Sequence, residues 1–403
     1  MNNRIRVIIN NIIWLFQSWG WHKDPSIVVM DSWFGQKFAD NPRFLFQYLS
    51  ENKSKLGLTH VVWVTRNENV LSCVRNMGYE AYMLDSKESI YYHKHAKYHI
   101  CNNAPNCFGT FGGEIATKYS FRSKRINLEH GIGLKGVNYA DNAYKEKKAK
   151  HPFLYKIKEK CHHYKWFRTL YLEQGGWGDS YYLSTSKANS DILYSYFLLP
   201  YDHYVEAAYP RNNECVRLTW QEREVLDKLK QYKYVVLYLP TFRNSCEQID
   251  FMNIAYHIED ILKEKDIYWI QKPHSADKKN ASERISSNVL NLESDFDINV
   301  LMPYITVLIT DYSSVSMDAV YHKKPIIYFV PDYEEYMNSD RGFVINPADY
   351  MAGPKVFDVE GLTDTLSEYI ENPDKVIDEH YLEIREKFWN EGITYEDIWD
   401  AIK

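Results

Sequence analysis

From Pro25 onward, short runs of β-branched and aromatic residues alternate with stretches whose apolar positions recur every three to four residues. That alternation is the signature of βα units around a parallel sheet. Ser26 to Met30, Thr59 to Thr65, Tyr79 to Leu84, Tyr98 to Asn102 and Arg125 to Glu129 read as strands, with helices over Pro42 to Glu51, Val70 to Met77 and Ser89 to Lys97. The pattern restarts after Pro210 with helix Trp220 to Gln231, strand Tyr234 to Leu239, helix Ile254 to Lys265 and strand Ile267 to Gln271. It continues with helix Asn299 to Tyr304, strand Val307 to Thr310, helix Val315 to His322 and strand Pro325 to Val330. Two such arrays in tandem predict an α/β protein of two doubly wound, Rossmann-like domains, with a ligand cleft where the carboxyl ends of their strands face each other. The expected division is an N-terminal extension over 1–23, a first domain over 24–212 and a second over 213–403, with the hinge near 208–220 and the last helix, Tyr395 to Ile402, packing back on the first domain.

Two segments break the alternation. The excursion over 141–170 contains, between 145 and 168, nine Lys or Arg against two Glu, interleaved with Phe153, Leu154, Tyr155, Tyr164, Trp166 and Phe167. This composition suits an amphipathic helix on an anionic membrane surface and equally a solvated helical face. Residues 4–21 carry Ile, Trp, Leu and Phe at mixed spacing, for which packing between domains is the expected role.

Composition narrows the class. With 45% hydrophobic and 25% charged residues in 403, the chain can build packed cores. A formal charge of −6 argues against a nucleic-acid-coating protein. Six cysteines form no C-x-x-C pair, which fits a reducing compartment and suggests no structural zinc. His93, His95 and His99 divide between a predicted helix and the next strand, so they are not expected to share a face or bind metal. The apolar stretch from Val7 to Phe16 is broken by Asn10 and Asn11 with no cleavage site after it, and no run is long enough to span a bilayer. A cytoplasmic protein, peripheral on the inner face of the cell membrane, is expected.

The strongest local signal is Thr310-Asp311-Tyr312-Ser313-Ser314-Val315-Ser316-Met317-Asp318, which follows an apolar strand and opens a helix. Ser313 or Ser314 would cap that helix and present N–H groups and hydroxyls to an anion, beside Asp311. Gly131-Ile132-Gly133-Leu134-Lys135-Gly136 fits G-x-G-x-x-G, but no apolar helical period follows, so a Rossmann phosphate turn is not evident. Joined to His130, the segment reads instead as a loop presenting an imidazole to take a hydroxyl proton and Lys135 to offset phosphate charge. Cationic groups recur where other strands end: Arg211 after Tyr209-Pro210, Arg243 after Thr241-Phe242, and Lys272 and His274 around Pro273. There is no H-E-x-x-H, P-loop or G-x-S-x-G, which disfavours zincins, P-loop enzymes and α/β-hydrolases.

In order, these pieces resemble the CDP-glycerol glycerophosphotransferase family, which primes or polymerises teichoic acids and related polyol-phosphate capsules. The matching segments are His130-Gly131 through Lys135, Tyr209-Pro210-Arg211-Asn212, Tyr238 through Arg243, and Lys272-Pro273-His274. The longest runs from Ile309 through Ser314 and Lys324-Pro325 to Asp332, Tyr336 and Arg341-Gly342-Phe343. Departures are Ala208 before the Tyr-Pro-Arg element, Ile132 after His-Gly, and the long basic excursion. The resemblance implies a GT-B-like fold and transfer of glycerol phosphate from CDP-glycerol to a lipid-linked glycan or polyol-phosphate acceptor, with release of CMP. It implies His130 as general base, and Arg243, His274, Ser313 and Ser314 as ligands of the donor phosphates. His274 and Asp311 are the next candidates as base, and Arg211, Thr241, Lys272 and Asp318 complete the expected donor-facing set. No metal or cofactor is required by this arrangement. A CDP-ribitol or hexose transferase on the same scaffold, and a non-catalytic membrane-surface binding protein, are the alternatives.

Overall fold

The computed structural model describes residues 3–103, 119–241, 253–272, 286–337 and 343–403. Seven parallel strands form the first sheet: β1 (Asp24–Met30), β2 (His60–Thr65), β3 (Ala81–Met83), β4 (Ala96–Cys101), β5 (Lys124–Asn127), β6 (Tyr181–Ser184) and β7 (Tyr204–Glu206), in the order β3-β2-β1-β4-β5-β6-β7. Six more form the second: β8 (Tyr234–Leu239), β9 (Ile267–Gln271), β10 (Val289–Asn291), β11 (Val307–Thr310), β12 (Ile326–Phe329) and β13 (Lys355–Val356), in the order β10-β9-β8-β11-β12-β13. Both are doubly wound. Strand order reverses between β1 and β4 in one sheet and between β8 and β11 in the other, and ligands of open α/β sheets bind at such reversals.

The central strands are continuous apolar runs, as burial on both faces demands: every residue of β9, β11 and β12 is buried. β6, β7, β10 and β13, each two to four residues long, lie outside the strands the pattern predicts. The predicted helix over 254–265 is split into Ile254–His257 and Glu259–Glu264, and the one over 299–304 is a pair of 3-10 turns. The basic excursion forms helices Asn142–Lys150 and Pro152–Cys161. The N-terminal helix, Asn3–Gln17, does not pack between the two sheets. It lies on residues 168–179, where Asn11 Nδ2 donates to the carbonyls of Leu170 at 3.0 Å and Glu173 at 2.8 Å. His93 and His99 also depart from expectation, meeting in the interior with ring centroids 5.1 Å apart, because the helix carrying His93 runs directly into β4.

The chain returns to its starting half at the end. Helix Glu379–Phe388 packs on Lys187–Phe197, and Tyr395 of the last helix, Tyr395–Ile402, stacks on Tyr48 at 4.9 Å. The two halves are further joined by the buried guanidinium of Arg43, which grips Glu222 through two bonds of 2.5 and 2.7 Å. Glu222 also closes a capping box with Thr219 at the start of helix Trp220–Leu229. Removing one partner strands a buried charge, so Glu222→Ala is expected to destabilise the protein by roughly 3–5 kcal/mol. Breaking the exposed Lys55–Glu396 pair should leave stability almost unchanged, since water screens it; denaturant titration of both variants checks the contrast.

Candidate active site

The cleft begins at the end of β1, where Trp33, Phe34 and Asp40 take φ values of 48°, 59° and 67°. Left-handed backbone at non-glycine residues costs ~1–3 kcal/mol each and persists only where the surroundings impose it. Here hydrogen bonds do so: Trp33 N–H donates to Asn102 Oδ1 at 3.0 Å, and Asp40 N–H to Asp297 Oδ2 at 2.8 Å in the second half. Asp40 is buried and accepts from Arg211 Nη1 at 2.5 Å, while Nε and Nη2 of Arg211 bind Asp318 at 2.8–2.9 Å. Burial opposes the Arg211 charge, but Asp318 and Asp40 more than offset it and hold the guanidinium protonated. Arg211 and Asp318, read from sequence as facing the donor, therefore face each other across the two halves. Their pairing follows from depth: both are buried, where a lone charge is costly.

This network positions His130. Asn41, next to Asp40, donates through Nδ2 to the carbonyls of Leu128 at 3.0 Å and Glu129 at 2.9 Å, fixing the chain just before the histidine. The His130 ring reaches solvent at the cleft and lies 5.4 Å from the Trp33 ring. Desolvation lowers its pKa, aided by Arg211 and opposed by Asp40 and a hydrogen bond to the Asn102 backbone. The imidazole is thus neutral at pH 7 and able to accept a proton. Beyond it, a Cβ on Gly131 would stand 2.8 Å from Ser314 Oγ, and one on Gly133 would stand 2.5 Å from the Tyr196 hydroxyl. Gly131 lets the His130 loop seat against the serine turn, and Gly133 lets it seat against Tyr196. Lys135 extends this seam: its backbone bridges to Phe343 and its ammonium lies 5.1 Å from the Tyr336 ring centroid.

On the second half, Asp311 is buried and accepts from the Thr241 backbone N–H at 2.7 Å and from the Thr241 hydroxyl. It orients the end of β8 across the strand reversal. Ser313 and Ser314 are half-buried, and Ser314 occupies the cap position with φ −64° and ψ −12°, already helical, so its hydroxyl makes no capping bond and the first helical N–H donates to Ser313 instead. Ser313 Oγ lies 3.5 Å from the Val315 nitrogen. Lys272 donates to the Phe296 carbonyl at 2.6 Å; burial, then Lys37, brings its pKa down to about 8, against the pull of Asp297, Asp295 and Asp40. Arg243 and His274 lie outside the described residues.

The His130 loop thus meets the serine turn at Gly131, with Lys135 further along the same seam and Thr241, Asp311 and Lys272 at neighbouring strand ends. Sequence reading missed Trp33, Lys37, Asp40, Asn41 and Asn102. The available signal was Ala39-Asp40-Asn41-Pro42 at a helix start, which resembles ordinary capping. Glu129 was missed too. Its carboxyl is buried, and desolvation, then Asp40, raises its pKa from 4.5 to about 8. A group protonated in the folded chain and ionised when unfolded adds stability below pH 4.5 that is lost as pH rises through 8. Thermal midpoints over that window should fall more steeply for the native protein than for Glu129→Gln.

Comparisons extend this geometry. The sequence model of the family described as CDP-Glycerol:Poly(glycerophosphate) glycerophosphotransferase matches residues 13–400. A teichoic acid poly(glycerol phosphate) polymerase of Bacillus spizizenii is 24% identical over 376 residues, covering 90% of this chain and 87% of that protein. A teichoic acid glycerol-phosphate transferase of Staphylococcus aureus is 22% identical over 423 residues, covering 98% and 96%. Among solved structures, a CDPG-soaked variant of the wall teichoic acid polymerase TagF superposes with a TM-score of 0.69 at 19% identity, over 98% of this chain and 93% of that one. That last likeness is one of fold, and the fold is GT-B-like.

Proposed function

The chain belongs to the CDP-glycerol:poly(glycerophosphate) glycerophosphotransferase family, and from that premise we propose that it transfers glycerol phosphate from CDP-glycerol to a hydroxyl of a teichoic-acid or other polyol-phosphate acceptor. The observation that carries the reading is the close approach of Gly131, the residue after His130, to Ser314 of the serine turn, beside the strand reversal of the second sheet. In the proposed reaction the acceptor oxygen attacks the β-phosphorus, the bond from that phosphorus to the bridging oxygen breaks, and CMP leaves. His130 takes the hydroxyl proton as the new P–O bond forms. Ser313, Ser314 and Lys272 hold the phosphates, Thr241 is oriented toward them by Asp311, and Arg243 and His274 are assigned to the same group by family resemblance. Arg211 and Asp318 serve by holding the halves in register. We assign the first half to the acceptor and the second to the donor.

The acceptor is proposed to be lipid-linked, with the enzyme peripheral on the inner face of the membrane. No helix among the described residues is long and apolar enough to cross a bilayer. In the basic excursion, Phe153 and Leu154 are 77% and 63% exposed and Trp166 61%, beside the lysines. The N-terminal helix, resting on the adjoining segment, also exposes Ile5, Ile9, Ile13 and Phe16. Apolar side chains flanked by lysines suit an anionic lipid surface.

Two outcomes are expected. His130→Ala should lower CMP release by about two to four orders of magnitude with little change in CDP-glycerol affinity, whereas replacing Ser313 and Ser314 together by Ala should weaken that affinity as well. A stable His130→Ala protein with near-normal turnover would remove the histidine from the chemistry. Co-sedimentation with anionic liposomes should decline as salt rises and be lost on removing the aromatic and basic side chains of 145–168.

A further inference from the structure

A second cavity, of about 250 Å³, lies beside β6 and away from the donor-facing strand ends. Asn138, Tyr139, Tyr144, Lys158, Tyr171 and Tyr182 line it, and Glu173 shares its wall. On one side it adjoins the catalytic loop. Tyr182 is in register with Asn127 of β5, three residues before His130. Asn138 lies two residues after the Gly131–Gly136 segment, and Tyr196, next to the lining residue Phe197, donates to the Lys135 carbonyl at 2.8 Å. On the other side, Tyr144 and Lys158 belong to the two helices that carry the exposed lysines and Phe153. The cavity therefore lies between the general base and the surface assigned to the membrane.

Its lining has a definite chemistry. Tyrosine rings offer apolar faces with hydroxyls at the edge, suited to the C–H face of a sugar ring, while an amide and a carboxylate suit its hydroxyls. The Lys158 ammonium is held 5.1, 5.4 and 5.7 Å from the ring centroids of Tyr139, Tyr144 and Tyr155, a fixed cation at the wall. Asn138 is exposed with φ 50°, and its side-chain amide makes no hydrogen bond among the described residues. The volume is small for a ligand pocket, which argues for one ring rather than a nucleotide.

We propose that this cavity binds a sugar ring bearing a phosphate, the glycosyl-phosphate portion of the acceptor. The assignment rests on the transfer reaction proposed above. A cation and an aromatic wall would seat that portion while its growing end reaches His130.

The test uses the full chain and water-soluble butyl glucosyl phosphate, with butyl phosphate and glucose as the separated parts, followed by saturation-transfer NMR and by isothermal titration. The glycosyl phosphate is expected to bind more tightly than either part. Lys158→Gln and Asn138→Ala, each at an accessible side chain, should weaken it about tenfold, the loss of one hydrogen bond to a charged group for the lysine, with CDP-glycerol affinity unchanged. Butyl phosphate binding as tightly as the glycosyl phosphate, no binding by the native protein, or unchanged affinity in both variants would overturn the assignment. A native protein that binds the glycosyl phosphate through these residues, yet releases no CMP with any acceptor, would refute the transfer reaction and leave the sugar site standing.

Discussion

A single buried guanidinium holds the active cleft together. Arg211 comes from the segment between the two sheets, and its carboxylate partners come from opposite halves, Asp40 from the first and Asp318 from the second. Taking such a charge out of water is unfavourable unless both carboxylates are in place. The arrangement therefore penalises any state in which the halves separate. Asp40 passes the same constraint to its neighbour Asn41, whose amide fixes the carbonyls of Leu128 and Glu129. The position of His130 and the packing of the two halves around it thus depend on one ion network.

The electrostatics around that network are balanced rather than strongly positive. Lys37 donates to the Ser294 carbonyl and Lys272 to that of Phe296, and burial lowers the pKa of both. Asp295 and Asp297 stand close by and partly restore their charge. A diphosphate brought near them favours the ammonium forms in the same way a carboxylate does.

The fold was legible where burial dictates sequence. β8, β9 and β11 are apolar runs bounded by turns, and their limits are those the pattern predicts. Edge strands such as β7 and β13 were not, because two or three residues carry no period. At the site, His130 and the serine turn were visible because a polar group immediately after an apolar strand is unusual. Arg211 and Asp318 show the limit of such reading. A charged residue in a sequence does not announce whether it will meet a ligand or another part of the chain, and here two residues read as donor-facing found each other. Trp33 and Lys37 were hidden for a different reason, since their loop depends on left-handed backbone at ordinary residues, imposed by hydrogen bonds to distant segments.

The return of the last two helices to the first sheet gives the second half two points of attachment instead of one. A body hung from a single linker can swing and twist in every direction. A body tethered twice behaves like a door, since the line through both tethers is an axis and rotation about it is the motion left cheap. Opening to admit donor and release CMP then needs no search through orientations on the way back. Any relative motion of the halves is confined to that rotation, so Asp318 and Arg211 owe their alignment to the way the chain is threaded.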